Sequence, residues 1–473
     1  MISVFVALQG WATCGGGGGG GMGGMGGGGG MGATQTYPVP WKLASSLQPT
    51  MKDGLVVYWF PTGDPEFKNS SLRQSRVLSL YSQQCVDMLV ADYTGPLGQK
   101  YVPNGKAPVA VLVQGDGTML GKLEDKKGKL AVGDLEKLVD GEVKKRDSAV
   151  KEKLDDARAK AKAGDSKTAI AELREVVGQK CMFPNRAKDA AKELKKLGVS
   201  DVSAETMPDG PNFSPVVSAR IQKTMSAGLM AENDSKYREA QRLYTAAHNM
   251  DVNDPTPLRY LGELYRHETG DWDKARQTFD AILAMPADPL SRAVALHGLG
   301  KMTIHEGDFK KGLSLMENSV KEYPLPLAYR NLAVYWNSEG DKTKADHYTR
   351  EALALDPQEP FNLIFAAAFM AGNGHGDEAL KIAKENEDIL CASYNLAAIY
   401  AQLGQKQKAL ALLKRHFFEY ERYQSVRSKE MMEARVDAVF VSLYKDPTFI
   451  ALTNGADGRL AIPPMGGNKP SGN

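Results

Sequence analysis

The sequence predicts an α/β domain followed by an all-α solenoid, a right-handed superhelix of stacked helical hairpins, with a disordered glycine-rich N-terminus. Three observations predict this fold class. Apolar runs of strand-forming residues lie between residues 54 and 113, small or helix-ending residues recur at a fixed interval in the C-terminal half, and residues 15–32 are all Gly or Met. A fixed interval of some tens of residues is typical of repeat architectures.

The composition is that of a globular protein with several domains. Of 473 residues, 42% are hydrophobic and 25% are charged, which is enough to bury several cores. The 59 basic and 57 acidic residues nearly balance, which argues against a nucleic-acid partner because phosphate binding requires a clustered basic surface. No apolar run reaches the roughly 18–20 residues that span a bilayer.

Cysteine and histidine give no sign of a redox or metal site. Cys14, Cys85, Cys181 and Cys391 are isolated, without a C-x-x-C pair, so no disulfide is expected to build the fold. The seven histidines form no H-x-x-x-H pair and join no cysteine cluster. We therefore predict a non-enzyme without a metal or cofactor.

The predicted organisation by residue number is 1–49 apolar leader and flexible segment, 50–146 α/β domain, 147–200 helical hairpin, 201–215 linker, 216–423 repeat array, 424–455 helical cap and 456–473 disordered tail.

The first segment favours export over a cytoplasmic location. Residues 1–14 are apolar and uncharged and end at Cys14, before the Gly/Met tract. A cysteine followed by polyglycine resembles the start of a mature bacterial lipoprotein, which would make Cys14 a lipidation site and the tract a tether. A disordered leader without lipid is the alternative. Contact with a membrane is expected only through such an anchor.

Residues 54–60 form a continuous apolar run that predicts a buried strand. A helical pattern follows, then strands at residues 85–90 and 109–113, a turn at Gly115-Asp116-Gly117, a hairpin partner at 118–123 and a helix from Gly133. Pro108 directly precedes the third strand. This order resembles the thioredoxin fold, and the likeness rests on residues 105–123, GKAPVAVLVQGDGTMLGKL. The resemblance implies a cis bond at Ala107-Pro108. The redox cysteines of that family are missing, because the segment after the first strand reads PTGDPEFKNSS, so the domain is predicted to lack redox activity.

The C-terminal half contains small or helix-ending residues that recur every 33 residues. Gly300, Gly307, Gly312 and Pro324 are followed 33 residues later by Ala333, Gly340, Ala345 and Pro357. About six such units align between residues 216 and 423. Gly-Asp pairs at 270–271, 307–308 and 340–341 are expected to turn the chain, and prolines to end second helices. The pattern resembles tetratricopeptide repeats. Small residues would let the two helices of each hairpin approach closely, and residues 424–455 would cap the last apolar face.

The first helix of each repeat in this family lines a concave groove, so helix phase gives a set of groove residues. The groove is expected to be basic at one end and apolar at the other, and so to suit a protein or peptide partner, favouring an acidic one. The predicted groove residues are Arg259, Glu263, Arg266, His297, Lys301, Arg330, Asn337, Phe361 and Tyr394, with Ile364 and Ala398 beside them. Ordinary solvated helix residues are the alternative interpretation of each.

The favoured function is a non-catalytic interaction scaffold, in which the repeats bind a protein and the thioredoxin-like domain supplies a second docking surface. The first alternative is an atypical thiol oxidoreductase or chaperone that uses Cys85 or Cys181. The second is a self-assembling structural protein, in which solenoids stack end to end.

Overall fold

The computed structural model describes residues 36–44, 54–103, 106–124, 128–200, 215–357, 359–421 and 424–455. Within them the chain forms two compact units, residues 36–222 and 223–455. The predicted glycine tract, the lipidation site Cys14, most of the predicted linker and the predicted tail lie outside the described residues. No helix in the described ranges is long and apolar enough to cross a bilayer.

The first unit contains a five-stranded mixed sheet, in the order β1-β3-β2-β4-β5. Its strands are β1 Lys42–Ala44, β2 Leu55–Phe60, β3 Val86–Ala91, β4 Val109–Gln114 and β5 Met119–Glu124. β2 lies parallel to β3, and β3 parallel to β1, whereas β2–β4 and β4–β5 are antiparallel. All six residues of β2 are buried because both faces of the sheet are covered. The Ala107–Pro108 peptide bond, just before β4, is cis.

The helices of this unit cover the two faces differently. α1 Asp64–Asn69, a 3₁₀ turn at Ser71–Arg73, α2 Arg76–Tyr81 and the start of α4 pack on the face that carries Val57 and Trp59. α3 Pro96–Tyr101 packs on the face of Val56 and Tyr58. Each face therefore has its own apolar core.

The predicted flexible segment 1–49 differs from the structure at residues 36–44. Tyr37, Val39 and Trp41 are buried there, and the Trp41 indole donates a hydrogen bond to the Leu72 carbonyl at 2.8 Å. β1 then completes the edge of the sheet beside β3. The alternating apolar residues at 37, 39 and 41 explain why the segment just before β1 is buried.

The boundary predicted at residue 146 lies inside one continuous helix, α4 Val132–Lys162. Its first half packs on the sheet through Leu135 and Val139, and its second half packs through Leu154 and Ala157 on α5 Ser166–Gly178 and α6 Pro184–Lys196. Charged residues fill the other faces of the helix, so the change of partner leaves no break in the helical pattern.

The structure corrects the expectation that no disulfide builds the fold. Cys85 and Cys181 are bonded, with their Cα atoms 5.8 Å apart across 96 residues of sequence. Cys85 was expected inside a strand. It instead precedes β3 in a left-handed conformation with φ of 57°. Sequence spacing cannot reveal such a pair, because the fold rather than the local pattern brings the turn before α6 to the start of β3.

The second unit is a stack of six helical hairpins. In chain order the hairpins are α7 Pro215–Asn233 with α8 Tyr237–Met250, α9 Thr256–Glu263 with α10 Trp272–Ala284, α11 Pro289–His305 with α12 Phe309–Glu322, α13 Pro326–Ser338 with α14 Lys342–Leu355, α15 Pro360–Gly372 with α16 Gly376–Glu385, and α17 Ser393–Gln402 with α18 Lys406–Arg415. π-helical turns at Leu264–Thr269 and His416–Tyr420 extend α9 and α18. The chain ends in α19 Gln424–Ala434, a 3₁₀ helix Ala438–Leu443 and α20 Pro447–Thr453.

The Gly-Asp pairs turn the chain by two separate devices. Gly307, with φ of 100°, takes the left-handed conformation that ends the first helix. The side chain of Asp308 then accepts a hydrogen bond from the Lys311 amide at 3.1 Å and so caps the second helix.

Small residues bring the paired helices together. A Cβ atom added at Gly300 would lie 2.8 Å from the Gly312 carbonyl oxygen. Phe279 packs between two hairpins, since a Cβ on either Gly262 or Gly298 would lie within 2.4 Å of its ring. The repeated small positions are therefore contact points between helices.

Candidate functional site on the inner face of the solenoid

The first helices of successive hairpins contribute side chains to one common face. We call it the inner face; it includes Lys301 of α11, Tyr335 of α13, Phe365 of α15 and Tyr394 of α17. Residues 424–443, here called the return segment, lie against it. A cavity of about 40 Å³ separates the two, enough for a few water molecules and far too small for a peptide. Its walls come from α11, α13, α15 and α17 on one side and from the return segment on the other; the lining residues are Lys301, Asn331, Val334, Tyr335, Phe365, Ala368, Tyr394, Asn395, Ala398, Glu430, Glu433, Asp437 and Val439.

The return segment contacts hairpins that are far apart in sequence. Glu430 pairs with His416 at 2.7 Å, and Glu433 pairs with His305 at 3.4 Å. The Lys429 ammonium lies 3.2 Å from the ring centroid of Trp272, at the start of α10. The segment thus reaches back from the last hairpin to the second and third.

Two complementary stripes of side chains face each other here. On α11, His297, Lys301 and His305 follow one another at intervals of four residues, so they lie on one side of the helix. On the return segment, Glu430 and Glu433 are three residues apart on α19, and Asp437 follows four residues later. Glu433 and Glu430 both favour the charged form of Lys301. Burial lowers the pKa of His297 and of His305, so both histidines favour the neutral form. The stripe on α11, with Lys301 at its centre, therefore faces a stripe of carboxyl groups.

Burial perturbs the ionisable groups of the cavity. It lowers the pKa of Lys301, although Glu433 acts in the opposite direction. Burial, with the neighbouring Glu433, raises the pKa of Asp437 to about 7. Tyr394 donates a hydrogen bond to Asp437 at 3.3 Å. The Asn395 amide nitrogen is buried without a hydrogen-bond partner.

Hydrogen bonding is equally uneven around the histidines. His297 Nε2 lies 2.8 Å from the Asn331 amide nitrogen, while its Nδ1 is buried without a partner. His416 Nδ1 is buried without a partner as well. Buried nitrogen atoms of His297, Asn395 and His416 are thus left without hydrogen-bond partners at the inner face.

At the N-terminal end of the inner face the charges are tightly paired. Arg266 donates two hydrogen bonds to the Glu263 carboxylate, the shorter of 2.7 Å, and His267 lies 3.2 Å from the same group. Burial alone would raise the pKa of Glu263, but Arg266 and His267 hold it well below its usual value. Burial and the adjacent Arg266 lower the pKa of His267 to about 4. This histidine is therefore neutral in the folded protein at neutral pH.

A second internal cluster surrounds Arg330, which is only 2% exposed. Its Nη1 atom donates to Glu359 at 3.0 Å and to Asn362 at 2.9 Å. Its guanidinium also lies over the rings of Phe361 and Phe365. These contacts join α13 to α15, so the guanidinium of Arg330 is engaged inside the solenoid.

The residues predicted to line a groove therefore fall into three groups. Lys301, Tyr394 and Ala398 line the cavity against the return segment. Arg259, Glu263, Arg266, His297, Arg330, Phe361 and Ile364 are buried among helices. Asn337 is partly exposed.

Helix phase did not indicate Asn331, Tyr335 or Asn395, nor the part played by residues 430–437. The helical spacing of Glu430, Glu433 and Asp437 was the available signal for an acidic face on the return segment. In the described part of the chain, no group of three or more His, Cys, Asp or Glu side chains is arranged to hold a metal ion. The arrangement is suited to recognising a helical segment by charge and aromatic contact.

Comparison with known proteins supports the repeat assignment. Residues 227–291 match the family model described as tetratricopeptide repeat. The chain is 24% identical over 235 residues to the CTR9 homolog of Arabidopsis thaliana, covering 39% of this chain and 21% of that protein. It is 30% identical over 97 residues to the photosystem I assembly protein Ycf3 of Rippkaea orientalis, covering 20% of this chain and 56% of that one.

The similarities to solved structures are partial. A thermophilic tetratricopeptide repeat protein of Thermus thermophilus aligns with 18% identity and a TM-score of 0.31, over 40% of this chain and 99% of that one. The chain spans about a fifth of the length of the first curated relative and just over half of the other. The match supports the prediction of tetratricopeptide repeats at residues 227–291, within a mostly helical solenoid that follows a small mixed five-stranded sheet region.

Proposed function

We propose that the protein is a non-catalytic scaffold whose solenoid binds a protein or peptide partner on its inner face. One observation carries the proposal. The inner face already holds a helical segment of the same chain, through the contacts of Glu430 with His416, of Glu433 with His305 and of Lys429 with Trp272. A surface that binds one helix by charge and aromatic contact has the chemistry to bind another.

The sheet region is the proposed second docking module, a thioredoxin-like domain without redox activity. Its strand order and the cis bond before β4 support the likeness. β2 is followed by α1, which begins at Asp64 with no cysteine nearby in sequence. A thiol exchanger needs a reactive thiolate at this helix start. Cys85 is instead engaged in the disulfide with Cys181.

Export remains part of the proposal, and the disulfide supports it. Disulfides persist mainly in oxidising compartments such as the periplasm or the extracellular space. A lipid anchor at Cys14 would hold the exported protein at a membrane surface.

The test is capture of partners from the source cells with three full-length baits. These are the natural chain, Lys301→Ala/His305→Ala on the inner face, and the matched control Lys342→Ala/His347→Ala, whose side chains are exposed on α14. The expected result is a protein that the natural chain and the control retain and the inner-face variant loses, and that binds the purified chain saturably. Identical capture by all three baits would move the contact to another surface.

Two other functions stay testable. A thiol oxidoreductase or chaperone that uses Cys85 or Cys181 requires the disulfide to exchange readily, so rapid reduction by a dithiol at neutral pH would favour it. A self-assembling solenoid would scatter more light per unit mass as concentration rises.

A further inference from the structure

The return segment consists of two parts with different chemistry. Phe440 and Leu443 belong to an apolar cluster that also contains Leu396, Tyr400 and Leu413 of α17 and α18. With α20, this part covers the apolar end of the last hairpin, as a solenoid cap does. The preceding helix α19 adds Met431 and Ala434 to this cluster, but it also extends along the inner face to Trp272 and His305.

The contact made by α19 is anchored by few apolar residues. Val426 is buried, and Met431 and Ala434 are buried in the same apolar cluster, while Met432 and Val436 on the same segment are exposed. The other contacts with the inner face are those of Glu430 with His416, of Glu433 with His305 and of Lys429 with Trp272, beside a cavity lined by both polar and apolar side chains. Polar and ionisable side chains lose their hydration when they associate, and their mutual contacts offset only part of that free-energy cost. Contacts of this kind therefore confer specificity more than affinity.

The groups around the cavity show that α19 does not satisfy every hydrogen-bonding group of the inner face. Lys301 is 8% exposed and makes no hydrogen bond with the described residues, although two carboxylates face it. The Asn395 amide nitrogen is also left without a partner. A permanent helix–helix contact in a protein core normally satisfies its buried polar groups. The inner face therefore retains hydrogen-bonding capacity that α19 does not use.

We infer that residues 424–437, the part of the return segment before the cap, are a displaceable internal ligand of the inner face, and that the external partner is an acidic helical segment with the same charge pattern. This inference rests on the proposed function. The partner would present carboxylates facing Lys301, His305 and His416, and an apolar side chain in the place of Met431. Since the internal segment is tethered, it competes at a high effective concentration and keeps the affinity for an external helix low.

The experiment measures binding of a fluorescent synthetic peptide with the sequence of residues 424–437 to full-length protein by anisotropy. The weakened variant is Glu430→Lys/Glu433→Lys. The matched control, Asp377→Lys/Glu378→Lys, makes the same change in net charge at exposed positions of α16. We expect the peptide to bind the weakened variant at least tenfold more tightly than it binds the natural chain or the control. A peptide with Lys at both acidic positions is expected not to bind.

Equal, weak binding of the peptide to all three proteins would overturn the inference. Glu430→Gln/Glu433→Gln is the second variant if charge reversal prevents folding, and it is expected to show a smaller gain in the same direction. Hydrogen exchange of the natural chain gives an independent measurement. Amides of α19 should exchange faster than those of α11 and α13, through a local opening. Exchange of all three helices at one common rate would show that α19 leaves only when the solenoid unfolds.

These results are separable from the proposed function. Capture of a partner by the inner face without peptide binding would remove the internal-ligand inference alone. Peptide binding without any captured partner would remove the scaffold proposal and leave a self-occluded solenoid.

Discussion

The sheet unit and the solenoid are stabilised by different kinds of groups. The sheet unit has two apolar cores around β2 and β4 and a disulfide that links distant segments. The solenoid has close helix contacts at small residues and many buried ionisable side chains. All seven histidines lie between residues 248 and 416, so the sheet unit contains none. The comparison predicts that loss of the Cys85–Cys181 bond affects the first unit most, whereas pH and small changes in volume affect the second.

The largest effect is expected in the sheet unit. Cys85→Ser/Cys181→Ser removes a crosslink that spans 96 residues. Chain entropy predicts a loss of about 4–5 kcal/mol in the free energy of unfolding for a loop of this size. Hydrogen exchange read separately over β2–β4 and over α11–α14 should show reduced protection in the sheet only. Equal loss in both regions would contradict separate stabilisation of the units.

The next effect is acid sensitivity of the solenoid through His267. Its pKa is about 4 in the folded protein, below the ordinary value of 6.5. The folded state thus favours the neutral ring. The resulting stability is fully present above pH 6.5 and is lost as the pH falls towards 4. The difference in pKa corresponds to about 3 kcal/mol.

His267→Gln tests this dependence, because the amide can still donate to Glu263 but does not titrate. The gap in unfolding free energy between the variant and the natural chain should shift in favour of the variant by about 3 kcal/mol between pH 7 and pH 4. Urea denaturation at each pH measures it. His347→Gln, at an exposed position of α14, is the control and should follow the natural chain. A constant gap across the range would show that His267 does not couple folding to protonation.

A smaller effect is expected from crowding at a repeat position. Gly300→Ala places a methyl group 2.8 Å from the Gly312 carbonyl oxygen and 2.9 Å from Met316. The helices α11 and α12 must then move apart, at a cost of about 1–3 kcal/mol. Gly141→Ala is the matched change in the sheet unit. It lies in α4 with open space around the new methyl group, so thermal unfolding should show a gain of up to about 1 kcal/mol there.

The repeat residues show why much of the solenoid could be predicted from the sequence. Gly300, Gly307 and Asp308 each act locally, at a close contact, a left-handed turn and a helix cap, so a short interval in the sequence is enough to recognise them. The buried strand β2 was equally readable, because a central strand is apolar throughout.

The inner face could be predicted only in part. Helix phase indicated Lys301 and Tyr394, both of which line the cavity, but not the segment that covers them. The contact of Glu433 with His305 joins residues 128 positions apart, and no local pattern specifies it. The Cys85–Cys181 bond was missed for the same reason. In both cases the pairing depends on how whole elements stack.

The last prediction concerns the opposite end of the pH range. Burial, with Glu268 nearby, raises the pKa of Glu232 to about 8 in the folded solenoid, where it accepts a hydrogen bond from Tyr244 at 2.6 Å. The folded state therefore favours the protonated acid. This stability is present below the ordinary pKa of 4.5 and is lost as the pH rises towards 8.

Glu232→Gln copies the protonated form at every pH. The variant should exceed the natural chain in stability by on the order of 1–2 kcal/mol at pH 8.5, a value reduced because the side chain is partly exposed, and should equal it near pH 4. A variant that is less stable at both pH values would show that the carboxylate is charged in the folded protein. In that case Glu232 would not make the solenoid lose stability at alkaline pH, and this difference from the sheet unit would disappear.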